Sequence, residues 1–510
     1  MEVVQASAIG RLLLPVWYLL VHCYEYSGLA RLFRRVAQVW KTLWHSSALV
    51  DFFTREGRLA RAWKQSAACR LLHFLINLPM ALLHWLYRAL QPVFDASAAA
   101  NLAFAMGDQV PTAVGWLMLV ILIIPYEHWD NRYSLLGFLL VLLLAMAGGM
   151  RRRSLRLDAV AMGPFAVCFA AAVCIAWPLS YSSSLSLRFL FFHITCMLCV
   201  LVTVSTVERV EDLTRLAGFA SVALFLVSSY ALIQRIQGVE VNASYVDLSL
   251  NEGMPGRVYS VFENPNAFAE VLVLLIPLAV ALMLGSRGWA GRIGGAIAAL
   301  TGVAAILMTY SRASWIGLAV AALVFVFLWN KKLLPAILLA GLAMLPILPD
   351  TVFNRILTIF NLNDTSTSSR FPLYEAALQL IARRPVLGAG LGTDAVRHVV
   401  KELNLYHGVA PFVHAHNVYL QTWLETGLLG IVAFVASMGW AIKRAARAVA
   451  GGSCPLPVRM VTIGGASALA GILVCGIADY IWNYPRVMLI FWFLFAVTLS
   501  GIRLAKRHAK

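Results

Sequence analysis

Residues 267–285 read Ala-Phe-Ala-Glu-Val-Leu-Val-Leu-Leu-Ile-Pro-Leu-Ala-Val-Ala-Leu-Met-Leu-Gly, with Glu270 the one charged side chain in the block. A helix of this length rises ~28 Å, close to the ~30 Å of hydrocarbon in a bilayer. Comparable blocks recur along the chain. From about Thr112 onward they fall near 112–126, 135–150, 159–177, 189–206, 216–234, 267–285, 293–310, 313–329, 333–349, 417–442, 460–478 and 487–502. The first two are short, and 417–442 is long enough to be tilted or to reach past the bilayer. Composition agrees. Of 510 residues, 61% are hydrophobic and only 13% charged, against ~25% charged in ordinary globular chains. The expected fold is all-α: a polytopic integral membrane protein of about twelve transmembrane helices, with one large extracytoplasmic loop that carries amphipathic helices.

The formal charge is +17. In a soluble protein that would raise nucleic acid as a partner, but here the distribution of charge decides. Alternate loops hold Arg151, Arg152, Arg153 and Arg156; Arg209 and Arg215; Arg287 and Arg292; Lys331 and Lys332; Lys443, Arg444, Arg447 and Arg459; and Arg503, Lys506, Arg507 and Lys510, eighteen in all. The short loops of the other set hold six: Arg132, Arg188, Arg235, Arg257, Arg312 and Arg486. The positive-inside rule places the first set in the cytoplasm. Both ends of the twelve-segment unit then face inward and residues 350–416 face outward. Membrane lipids, not nucleic acid, are the expected surroundings.

Residues 1–110 form a separate region, with eleven Lys/Arg against six Asp/Glu. No cleavable signal peptide is evident after the apolar run Leu12–Val21. Tyrosines and tryptophans mix with arginines in Tyr24–Trp44 and Trp85–Arg88, the pattern of helices lying on the inner membrane face; a membrane-inserted hairpin is the alternative. The expected division is 1–110 as this basic amphipathic region and 111–510 as the catalytic unit. Most of the eight cysteines lie inside apolar segments, so buried thiols are expected rather than a disulfide framework.

Chemistry concentrates on the outer side. Arg257 lies just before a helix enters the membrane, and Arg312 lies where two helices meet. An arginine at that depth costs a few kcal/mol unless it is paired or faces water; the bland reading of either is snorkelling to headgroups. In the large loop, Arg370 precedes an apolar face at Leu373, Ala376, Ala377, Leu380 and Ile381, whose spacing is helical. Pro385 ends that helix. Arg370 thus stands at a helix N-terminus, where guanidinium and free backbone N–H groups make an anion site. The following Gly388-Ala389-Gly390-Leu391-Gly392 lacks the flanking strand of a dinucleotide fold and reads as a flexible turn. The loop closes on His414-Ala415-His416-Asn417. Asn417, Gln421 and Glu425 then make a stripe at i, i+4 and i+8, expected to face a wet cavity or one another. The two histidines bring no third ligand with metal spacing, so no metal is expected. A histidine as proton acceptor suits this position, and arginine forks suit a diphosphate.

Four motifs together resemble the O-antigen ligase and polymerase superfamily: Gly256-Arg257 with Asn264-Pro265-Asn266; Tyr310-Ser311-Arg312-Ala313-Ser314-Trp315; Arg383-Arg384-Pro385-Val386-Leu387-Gly388-Ala389-Gly390-Leu391-Gly392; and His416-Asn417-Val418-Tyr419-Leu420 with Glu425-Thr426-Gly427-Leu428-Leu429-Gly430. The similarity runs over about 113–502, and the front region is no part of it. The resemblance implies a GT-C-like membrane glycosyltransferase of the bacterial inner membrane. Such an enzyme moves a glycan from undecaprenyl diphosphate to a sugar hydroxyl on a glycan or lipid-linked acceptor, with inversion, no metal and no cofactor. It implies Arg312 and Arg370 as diphosphate ligands and His416 as the base. Arg257, His414, Asn417, Gln421 and Glu425 follow as substrate contacts. Ligase is the reading, with polymerase of repeat units as the alternative. A twelve-helix flippase is the alternative from another class, but no inverted repeat or paired broken helices show.

Overall fold

The computed structural model describes residues 8–42 with gaps at 29, 33, 36–37 and 40–41, then 62–152, 156–242, 255–344, 346, 349–357, 368–408, 411–450 and 454–508. The polar run 364–367 and part of the aromatic stretch before Trp44 lie outside these residues. Among the described residues every regular element is a helix. In chain order they are α1 (Ala8–Tyr26), α2 (Ala67–Ala89), α3 (Gln91–Ala96), α4 (Ala98–Gly107), α5 (Val110–Ile123), α6 (Asn131–Arg151), α7 (Ala159–Met162), α8 (Pro164–Ala176), α9 (Ser183–Thr206), α10 (Val210–Gln237), α11 (Pro265–Gly285), α12 (Trp289–Met308), α13 (Arg312–Asn330), α14 (Leu334–Met344), α15 (Asp350–Leu357), α16 (Arg370–Arg383), α17 (Gly392–Glu402), α18 (Val418–Ala450), α19 (Leu456–Ala478) and α20 (Pro485–His508).

The twelve hydropathy segments resolve differently. Among the described residues, ten stretches are long and apolar enough to cross a membrane, or eleven if one bent pair counts as a span. Three local causes account for the difference. The segments at 313–329 and 333–349 run on through a short 3₁₀ turn at Lys331–Leu333, so α13 and α14 form one 33-residue stretch. The segment at 159–177 breaks at Gly163, whose φ of 88° ends α7, leaving α8 only 13 residues. The segment at 112–126 is one arm of the pair α4–α5, bent by 75°. The boundary drawn at 110 falls between those two arms.

In the front region Trp85–Arg88, expected on the inner membrane face with a membrane-inserted hairpin as the alternative, lie in the long helix α2. Helix α2 is long and apolar enough to cross. It leans on α6 through a cluster of Tyr87, Phe104 and Met150. The His84 ring bonds the Met150 carbonyl at 3.0 Å, and Asn77 makes two hydrogen bonds with the backbone of Leu157. All eight cysteines are free thiols. Cys69, Cys196, Cys199 and Cys475 are buried as expected, but Cys23, Cys168 and Cys174 are exposed.

The packing around α19 matters most for function. Helix α19 touches α11, α13, α18 and α20, and small residues let it do so. Gly317 of α13 and Gly471 of α19 approach until each would collide with a side chain on the other, and Gly464 lies against the Pro277 carbonyl of α11. Close approach of small residues drives helix association where lipid offers no hydrophobic gain. The result fixes the start of α13, at Arg312, beside the end of α19, at Asp479. Helix α20 is enclosed by the others, with Trp482, Trp492 and Phe491 fully buried around it.

Candidate functional site

Five helices begin at this end of the bundle around one cavity of about 540 Å³. The run entering α11 supplies Arg257, Asn264 and Asn266; the α12–α13 junction supplies Tyr310, Ser311 and Arg312; α15 supplies Arg355; the start of α16 supplies Ser369 and Arg370. His414 and His416 enter from the turn before α18, and Asp479, Tyr480, Asn483 and Tyr484 from the link between α19 and α20. Unpaired N–H groups at helix starts carry partial positive charge. Four arginines and the starts of α11, α13 and α16 therefore bring positive charge to one concavity that also holds the carboxyl groups of Glu270 and Asp479.

Arg257 and Arg355 are held, not loose. Arg257 is 8% exposed; its Nε donates to the Thr309 carbonyl at 2.6 Å and its terminal nitrogen to Asn266 Oδ1 at 2.5 Å. Asn264 caps α11 through the Ala267 N–H and donates to the Tyr484 hydroxyl. Arg355 is 5% exposed, with Nε 3.5 Å from the Tyr310 carbonyl. Helix α16 starts at Arg370, and its buried residues are Leu373, Ala376, Ala377, Leu380 and Ile381, the face that the spacing marked out. That face packs on α17 and the start of α18 rather than on lipid.

The two histidines differ. His416 Nδ1 lies 3.1 Å from Asp479 Oδ1, and its ring is partly open to the cavity. Its backbone N–H donates to His414 Nδ1 at 3.1 Å, and the two rings lie 4.1 Å apart. Burial, with the charge of His416 and Arg370, pushes the His414 pKa down to about 3, so that ring is neutral. Burial opposes ionisation of Asp479, but the His416 hydrogen bond, with the positive charge of Arg370, outweighs it and holds this carboxyl well below the usual carboxylate range. His416 itself has a φ of 43°, a left-handed conformation that a non-glycine residue adopts only under constraint. Tyr310 and Ser260, at φ 52° and 54°, are under the same constraint at the same end. Ligand atoms of His414, His416 and Asp479 all lie within 4.8 Å of one another. This carboxylate is the third ligand-type group that the sequence did not bring to the histidines.

Asn417, Gln421 and Glu425, the stripe at the start of α18, are not among the residues lining this cavity. Asn417 caps α18, accepting from the N–H groups of Tyr419 and Leu420. Gln421 accepts from the Ala415 N–H at 3.0 Å and donates to Glu425 at 2.9 Å, which also accepts from the Tyr480 hydroxyl at 2.9 Å and from the Gly392 N–H. These groups face one another and brace the histidine turn from below.

Nor is the glycine run a flexible turn. Gly388, Gly390 and Gly392 all have positive φ, and the run is bonded to a kink in α18 at Gly427 (φ 66°, ψ −169°). The Ala389 N–H donates to the Leu424 carbonyl at 2.6 Å and the Leu428 N–H to Pro385 at 3.0 Å. Only glycine adopts the Gly427 conformation without strain, and a Cβ there would also strike the Val386 carbonyl. Gly427→Ala is therefore expected to destabilise the fold by about 3 kcal/mol. A thermal midpoint in detergent equal to that of the parent protein would refute this.

Two groups escaped the sequence reading. Asp479 is 63 residues from His416, and its signal is a lone carboxylate ending an apolar helix. Arg355 lies on a helix of eight residues, too short for periodicity to single it out.

Comparison with known proteins bears on this geometry. Residues 297–435 match the family described as O-Antigen ligase. The match takes in Arg312, Arg355, Arg370, His414 and His416, and leaves Arg257 before it and Asp479 after it. An uncharacterized protein of Haemophilus influenzae is 31% identical over 160 residues, covering 28% of this chain and 40% of the relative. The chain thus matches about two fifths of that relative's length. With its membrane-length helices, the chain is similar over residues 297–435 to the O-antigen ligase family, in accord with the sequence resemblance to the ligase and polymerase superfamily.

Proposed function

We propose that the protein is a membrane glycosyltransferase that moves a glycan from undecaprenyl diphosphate to a sugar hydroxyl, without a metal and with inversion. The observation that carries this reading is the meeting of Arg312, Arg370, His416 and Asp479 in one cavity. In the proposed step, Asp479 holds the Nδ1–H of His416, leaving Nε2 to accept the proton of the acceptor hydroxyl. The acceptor oxygen attacks the anomeric carbon from the face opposite the diphosphate. The bond from that carbon to the diphosphate oxygen breaks, and undecaprenyl diphosphate leaves with the bonding pair. Arg312 and Arg370 stabilise its added charge. Arg257 and Arg355 add positive charge from behind, and His414 keeps the His416 backbone in place.

Ligation of a finished glycan is the primary reading, supported by the family match; joining of repeat units would use the same chemistry. Purified protein given a labelled lipid-linked glycan and an acceptor should form one glycan–acceptor bond per turnover. A product that grows by successive units would mark a polymerase instead, and no transfer would remove the reading. The cavity is proposed to open on the outer face of the bacterial cytoplasmic membrane, because basic residues crowd the opposite loops. A cysteine replacing Glu375, exposed on α16, should react on intact cells with a membrane-impermeant maleimide, above the level of the parent protein. Reaction only after permeabilisation would reverse the orientation.

A further inference from the structure

The arginine cavity is not alone at its end of the bundle. A small cavity of about 30 Å³ shares Ala267 and Tyr484 with it. A larger one, of about 750 Å³, shares Tyr126 and Glu263 with the small cavity and Arg257 with the arginine cavity. Three cavities with common walls form a row, and a row suits a chain-like ligand rather than a compact one.

The lining changes character along the row. Around the first cavity, arginines dominate. In the large one, Arg257 at the shared wall is the single Lys or Arg among the described lining residues, so that space is no extension of the anion site. It offers instead the rings of Tyr126, Tyr230 and Tyr259 together with Gln237, Glu240 and Asn242. Amides and carboxylates pair with hydroxyls that both donate and accept. Aromatic faces supply apolar contact area of fixed shape for the C–H faces of a pyranose ring. A lipid chain would need neither the amides nor the carboxylates.

The walls are built in advance of any ligand. The Gln234 side chain accepts from the N–H groups of Tyr259 and Ser260, at 3.3 and 2.8 Å, and donates to the Ser260 carbonyl at 3.0 Å. Gly256 lies so close to the Val239 carbonyl that no Cβ would fit between them. The segment carrying Tyr259 and the segment 239–242 are thereby locked on either side of the same space, as ligand sites commonly are.

We propose that this row of cavities is a glycan track: it holds several sugar residues of one substrate while the linkage at its end reacts beside His416. The proposal rests on the glycosyltransferase reading above and extends it to a second, specificity-determining region at Tyr230, Gln237 and Tyr259. The glycan is that of the donor or that of the acceptor. Both have the same chemistry, and the experiment separates them.

Cells lacking this chain should accumulate the donor, which can be purified whole or trimmed by exoglycosidases to its diphosphate-proximal sugar. Full-length protein, Tyr230→Ala, Gln237→Ala and Tyr230→Phe are assayed with each donor, against a long and a short acceptor. Tyr230 and Gln237 are exposed helix positions, so both variants should fold. If the donor glycan occupies the track, the alanine variants raise KM roughly tenfold for the whole donor and leave it unchanged for the trimmed one. If the acceptor glycan does, the rise follows acceptor length. Tyr230→Phe keeps the ring and should match the wild type. A further arm needs no catalysis: the free glycan of whichever substrate shows the length-dependent KM should bind the wild-type protein and bind Tyr230→Ala roughly tenfold more weakly. Unchanged KM in every long and short pairing, with unchanged binding of either free glycan, overturns the track. Wild-type protein that binds a free glycan but transfers none keeps the track and removes the glycosyltransferase reading.

Discussion

His416→Ala should lower glycan transfer by roughly 10²–10⁴-fold, the range for loss of a general base, while the protein still folds and still binds the lipid-linked donor. The side chain reaches the cavity from one side, and its backbone strain is borne by contacts that alanine keeps, since the His416 N–H donates to His414 whatever follows it. Asp479→Asn should come close to the same loss. An amide can donate to Nδ1 and so favour the tautomer with its proton on Nε2, which cannot accept one; on the order of 10²-fold or more is expected. His414→Ala should be milder, because a neutral, buried ring holds the turn without touching the acceptor. Asp479 stays ionised and His414 neutral across ~pH 5–8, so neither accounts for a change in rate there. The decisive measurement is single-turnover transfer with saturating donor. Near-normal turnover in His416→Ala, or His414→Ala more damaged than His416→Ala, would move the proton transfer away from His416.

The parts of this arrangement that were legible in the sequence are those written within one helix or one turn. The buried face of α16 follows from the spacing Leu373–Ile381 because a helix repeats every 3.6 residues, and the start at Arg370 follows from the same pattern. Arg312 stood out because a charge at membrane depth requires a reason. What required the fold is of longer range. Asp479 reaches His416 because α18 and α19 pack closely, with Gly476 of α19 against Val418 at the start of α18. The stripe Asn417, Gln421 and Glu425 was expected to face a wet cavity or one another, and Gln421 does bond Glu425; the Ala415 N–H, the Tyr480 hydroxyl and the Gly392 N–H, which complete it, lie outside the stripe and needed the fold. Helix count failed where geometry is set by one residue. Gly163 shortens a span though hydropathy runs through it, and the segment at 112–126 is only the second arm of a pair bent at Asp108-Gln109.

Arg312→Lys and Arg370→Lys should each lower transfer roughly 10–100-fold, on the scale of one lost charge-assisted hydrogen bond of ~1.5–3 kcal/mol. The comparison isolates geometry from charge. Lysine keeps the positive charge but offers a compact ammonium in place of a planar fork that can grip two phosphate oxygens at once. A side chain that only snorkels to headgroups would accept lysine with little change. Position sharpens the test. Arg312 begins α13 and Arg370 begins α16, so each guanidinium adds to N–H groups already aimed at the same anion. The alanine variants should lose more, and the double lysine variant less than the product of the two, because both arginines share one diphosphate. EDTA completes the measurement. His414, His416 and Asp479 are close enough together to hold a cation, and a cation taking the Asp479 carboxylate would compete with the His416 hydrogen bond on which the proposed base depends. If the arginines carry the diphosphate and His416 the proton, transfer by the wild-type protein in EDTA equals transfer without it. Activity that EDTA abolishes and one divalent ion restores would assign those three residues to a metal. Full activity in both lysine variants would mean that Arg312 and Arg370 do not hold the diphosphate.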